Sequence, residues 1–136
     1  MERLVALLGI AFMLMIPPFA AQASSDPVQL QRQEALLSQK RSEVQEQIRN
    51  AERRLHQLET NRNDKLEELG ELCRARADLN SRRGFNKDID NEIADQTSNL
   101  RHIEVQRSDC LEELDGLCQV FLQINRDIAK CDKELH

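Results

Sequence analysis

Cys73, Cys110, Cys118 and Cys131 are the strongest nucleophiles of this sequence, and His56, His102 and His136 are its imidazoles. A nucleophilic mechanism needs a base beside the Ser or Cys that attacks. None of the three histidines stands in a motif that would set one there, so they read as surface residues of helices. Zinc sites draw Cys and His at short paired spacings, and Cys110-x7-Cys118 and His102-x7-Cys110 are not of that kind. Glu67, Glu68, Glu71, Glu112, Glu113 and Asp115 offer neighbouring carboxylates. In a chain this charged they read as solvated helix faces. There is no Gly-rich phosphate loop. The residues therefore predict a protein that is not an enzyme and needs no metal or cofactor.

One charge cluster stands apart. Arg74, Arg76, Arg82, Arg83 and Lys87 crowd a short stretch in which Asp78 is the opposing charge. They point to a docking patch for an acidic protein or a sulfated polymer. The plainer reading is a soluble helix end, where cations also suit the helix dipole.

The compartment decides how the cysteines read. Leu4 to Ile16 is a run of apolar residues and Gly, Pro17 and Pro18 break it, and Ala21-Gln22-Ala23 fits a small-x-small cleavage site. Residues 1–23 are expected to be a cleaved export signal, and 24–136 a single mature domain. An uncleaved anchor is the rival, but the prolines leave the helical part short for a span. No stable membrane insertion is expected after cleavage. In a short exported chain, an even number of cysteines predicts two disulfides.

The elements that would carry these residues are helices. The chain has 136 residues, four Gly, three Pro, four Phe and no Trp or Tyr. Seven Gly and Pro are too few for a turn-rich β-sandwich. A net charge of −5 and the scarcity of aromatics argue against nucleic acid as partner. Apolar residues recur at 3–4 spacing: Leu30, Leu37, Val44, Ile48, Ala51, Leu55, Leu58, Leu69, Leu72 and Leu79. A second series follows as Ile89, Ile93, Leu100, Ile103, Cys110, Leu114, Leu117, Phe121, Ile124, Ile128, Cys131 and Leu135. This is the seam of helix packed on helix. Arg62, Lys65, Arg76 and Arg107 interrupt it and mark bends, or places where long stems reach outward. Residues 55–80 match 100–125 at 11 of 26 positions, Cys73 against Cys118 among them. A duplicated half makes a hairpin of similar arms.

Asn80 to Lys87 is the clearest break. Gly84 is placed to end one helix in a left-handed conformation, and Asn86 or Asp88 to cap the next. Asp115-Gly116 is a second, weaker break. Asp64-x-x-Glu67 and Asp109-x-x-Glu112 are either capping boxes or ordinary charged positions within a helix. The expected fold is all-α: an elongated antiparallel hairpin or bundle of three to four helices with coiled-coil packing and two disulfides.

Every pairing of the four cysteines joins two of Cys110, Cys118 and Cys131. On a straight helix Cys110 and Cys118 stand about 12 Å apart, and a disulfide needs Cα atoms within roughly 7 Å. Two bridges thus require a bend or reversal between residues 110 and 131; Asp115-Gly116 is the natural place, and a reversal there favours Cys110–Cys118 with Cys73–Cys131. The rival is an unbroken second helix whose Cys110 and Cys131 face a second chain. A monomer and a homodimer both remain open.

In size, signal segment, helical content and the four cysteines at 73, 110, 118 and 131, the mature chain resembles the anophensin and albicin type of small salivary proteins of blood-feeding mosquitoes. That resemblance implies a secreted inhibitor of the host alternative complement pathway, or of contact activation of the kinin system. It carries no binding residue over to a position here. The competing expectation is a bacterial periplasmic coiled-coil adaptor or chaperone, since Ala21-Gln22-Ala23 suits bacterial export equally well.

Overall fold

The computed structural model describes residues 26–82, 84 and 86–136. The expected export signal lies outside them. Two helices make up nearly all of the described chain: α1, Pro27–Ser81, of 55 residues, and α2, Lys87–Leu135, of 49. They pack against one another, and no strand occurs among the described residues. No helix is long and apolar enough to cross a membrane among them.

The expectation of three to four helices is corrected to two. Asp115-Gly116 does not interrupt α2, and Asp64-x-x-Glu67 and Asp109-x-x-Glu112 sit inside helices. A helical Gly costs about 1 kcal/mol relative to Ala. Cys110, Leu114, Leu117 and Phe121 keep their 4-3-4 spacing through it and are all buried or half-buried. Burying Leu117 alone is worth about 1.5–3 kcal/mol, so the helix runs on.

Both helix starts are written in the sequence. Asp26 Oδ1 accepts from the Val28 amide at 3.1 Å, with Pro27 at the first helical position. Asn86 Oδ1 accepts from the Asp88 amide at 2.9 Å, and Asp88 and Asp90 lie in the first turn, where negative charge is favoured. At the end of α1 the Gly84 amide donates to the Leu79 carbonyl at 2.8 Å, and the Ser81 hydroxyl donates to the Asp78 carbonyl at 2.7 Å. Gly84 does not take up the left-handed backbone expected of it. A Cβ there would meet the Leu79 carbonyl and a Leu79 methyl at 3.4 Å, the near edge of ordinary van der Waals contact.

The helices divide into two compact units. In one, residues 26–52 pack with Glu112–His136. Its core is Leu30, Leu37, Val44 and Ala51 from α1, and Leu117, Ile124 and Cys131 from α2. Each set advances by seven residues, the period that keeps one column of side chains on a partner helix. Ile48, Leu114, Phe121 and Ile128, from the neighbouring column, are only half-buried.

The other unit is Arg53–Leu111. Among its described residues Cys110 is the buried apolar side chain. Leu55, Leu58, Leu69, Leu72, Leu79, Ile89, Ile93, Leu100 and Ile103 are half-buried. Arg62, Lys65, Gln96 and Arg107 occupy the intervening seam positions, so long polar stems stand where a closed core would need Leu or Ile. Ion pairs across the helices take over the register: Arg62 with Glu104, Arg76 with Asp90 at 3.0 Å, and Arg107 with Glu59 at 3.6 Å. All three are symmetric about position 83.

The expected disulfides do not form. Cys110, Cys118 and Cys131 stand on one uninterrupted helix, where the closest two are eight residues, or about 12 Å, apart. The reversal that Cys110–Cys118 needed is absent. Within the Arg53–Leu111 unit the ion-pair register sets Cys73 level with residue 93, which is 17 residues, or about 25 Å, from Cys110. Cys110 and Cys131 belong to the hairpin's own seam and are 6% and 0% exposed, whereas Cys73 and Cys118 are exposed.

Candidate functional site

The basic cluster falls where α1 ends and α2 begins, within the Arg53–Leu111 unit. Its cations are less available than their number implies. Arg76 Nε lies 3.0 Å from Asp90 Oδ1, Arg82 Nη2 lies 3.6 Å from Asp78 Oδ2, and Arg74 Nε donates to the Gly70 carbonyl at 3.3 Å. Lys87 opens α2 and is exposed. Arg83 lies outside the described residues. Asp78 is thus joined by a second opposing carboxylate, Asp90, which no local count of charge includes. The hairpin register delivers it.

Beside the Arg76–Asp90 pair is an open cleft of about 250 Å³ lined by Arg76, Leu79, Asn80, Asn86, Ile89 and Asp90. Two amides and an ion pair surround two apolar side chains there. Interactions of the exposed charges are screened by salt over about 8–10 Å.

The other candidate groups stay apart. His56, His102 and His136 are exposed. Lys65 Nζ lies 3.1 Å from Glu68 Oε2, and the Gln119 amide donates to Asp115 at 3.2 Å, both on the surface of one helix. Among the described residues no three His, Cys, Asp or Glu side chains are placed to hold a metal ion.

Two polar features escaped the sequence reading. Gln96 Oε1 and Arg107 Nε are buried atoms with no hydrogen-bond partner. Both residues occupy 3–4 positions of the α2 seam; Arg107 is already marked there as an interruption, and continuing the spacing from Ile93 through Gln96 to Leu100 would have found the other. The second is Glu34 on α1, whose carboxyl shares a hydrogen bond with Asp132 of α2. That bond, with partial burial and the Asp132 charge, raises the Glu34 carboxyl above its ordinary range, and His136 offsets part of the shift. Nearby, burial pushes the Cys131 thiol up, with Glu134, Glu34, Asp127 and Asp132 adding to it. Both effects favour the protonated thiol over the reactive thiolate.

Compared with known families, proteins and solved structures, the chain matches none.

Proposed function

We propose that the protein is exported and acts without catalysis, as a coiled-coil binding protein whose partner is another protein. The observation that carries this reading is the seam. Two helices of 55 and 49 residues spend their seam columns on each other and present mainly charged and amide side chains outward, with a few exposed leucines and valines among them. Such a surface recognises by complementarity. Of the two expectations, the hairpin favours the coiled-coil adaptor of an oxidising compartment, the bacterial periplasm foremost. The salivary-inhibitor reading leans on two intrachain disulfides, which the unbroken α2 does not bring together. It makes its own demand, that the protein block alternative-pathway or contact activation in plasma.

The test uses immobilised protein and its native extract. Bound protein should saturate at a fixed stoichiometry, fall with salt, and fall further with R74E/R82E/K87E, while circular dichroism stays unchanged. Capture indifferent both to salt and to these reversals would remove the turn from the binding surface. N-terminal sequencing should start at Ser24 if the segment before it is an export signal.

A further inference from the structure

We propose that the face of α1 bearing Leu66, Cys73 and Ala77 docks on the face of α2 bearing Leu111, Cys118 and Leu122 of a second copy, and that a Cys73–Cys118 disulfide locks the contact. For its oxidising conditions in the cell this rests on the export reading above.

The two seam thiols are enclosed by the hairpin itself, while Cys73 and Cys118 point away from the seam. Each is set among apolar residues that the fold leaves uncovered. Leu66 is 41% exposed and Leu111 42% exposed, each seven residues before its cysteine. Ala77 is exposed and Leu122 is 54% exposed, each four residues after. Spacings of seven and four keep all three side chains of a set on one helix face. That face lies outside the column that packs the hairpin.

The matching spacing is what identifies the occupant. Laid side by side and parallel, the two faces oppose Leu66 to Leu111, Cys73 to Cys118 and Ala77 to Leu122, leucine against leucine and a small residue against a large one. The antiparallel alternative about the same cysteines would set Leu66 against Asn125. A second copy of this chain supplies the complementary face. The apolar contact is small: it falls well short of the 20–30 residues a side of a stable protein interface. The covalent bond therefore has to hold it.

The bond forms by exchange with a disulfide oxidant, of the glutathione-disulfide or dithiol-oxidase class. The Cys73 thiolate attacks the oxidant's disulfide, giving a mixed disulfide and one released thiolate. The Cys118 thiolate of the second copy then attacks the Cys73 sulfur and expels the other. Two protein thiols are oxidised, one oxidant disulfide is reduced to two thiols, and the protons pass to the departing thiolates.

The experiment uses the purified protein in a glutathione redox buffer, with non-reducing electrophoresis and peptide mapping. Wild type should give a dimer, or higher oligomers through the same bond, that contains a Cys73–Cys118 peptide and dissociates on reduction. C73S alone and C118S alone should stay monomeric, whereas a mixture of the two should dimerise, because each provides the thiol the other lacks. L66A or L122A should slow the appearance of dimer severalfold with helicity unchanged. Dimers from C118S alone would show a Cys73–Cys73 bond and overturn the proposal. So would a monomer carrying an intrachain Cys73–Cys118 peptide, or wild type that only takes up glutathione. Fractionation of cells tests the export reading separately: a reduced, unprocessed chain in the cytoplasm would sink that reading and leave the purified-protein result standing.

Discussion

Arg76 on α1 and Asp90 on α2 stand 3.0 Å apart across the turn. They sit symmetrically about position 83, as do Arg62 with Glu104 and Arg107 with Glu59. In a unit whose seam is only half-buried, these pairs fix which residues of the two helices lie level, because apolar packing alone tolerates sliding by a heptad. Their side chains are partly solvated, Arg76 at 54% and Asp90 at 35% exposure. Each pair should contribute at most about 1 kcal/mol. R76D and D90R should each lower the urea midpoint slightly, and the double exchange should recover part of the loss. A double-mutant cycle with no coupling would show that the pair does not set the register.

Ile124, 3% exposed, belongs to the buried column of α2, whereas Leu36 is 55% exposed. Ile124→Ala should cost about 2–5 kcal/mol in urea unfolding. Leu36→Ala should cost under about 0.5 kcal/mol. Similar losses at the two sites would mean that the helices roll differently against one another.

The four thiols should separate into two classes under reducing, native conditions. Cys73 and Cys118 should react with maleimide rapidly, Cys110 and Cys131 only as the hairpin opens. Intact-mass spectrometry should show a two-label plateau that moves to four in denaturant. Four labels at one rate would contradict the burial of the seam cysteines.

The Glu34 carboxyl titrates above its ordinary range in the folded state. The folded state therefore holds more protons than the unfolded state, and stability falls as pH rises from the ordinary carboxylate range through the raised value. Glu34→Gln keeps a hydrogen-bonding side chain and removes the charge. It should raise the melting temperature at pH 7, well above the ordinary carboxylate range, and change it little at pH 4. Equal shifts at both values would show that Glu34 and Asp132 do not interact across the hairpin.

Helix type, the cap narrowed to Asn86 or Asp88, the break around Gly84 and both seam series are properties of neighbouring residues, and the sequence by itself determined them. Every apolar residue of the two series is buried or half-buried in the structure. Whether Asp115-Gly116 breaks α2 was decided only in three dimensions, since the cost of a helical Gly has to be weighed against the burial that the facing helix provides. The same holds for the column of each seam that turns fully inward, which depends on how one helix rolls on the other. From that roll and from the unbroken α2 it follows that Cys110 and Cys131 go inside, Cys73 and Cys118 stay out, and no intrachain pairing of all four can close. Asp90 joined the basic turn for a similar reason. It opposes Arg76 through the register of the hairpin, a relation between distant segments that spacing along a single helix does not contain.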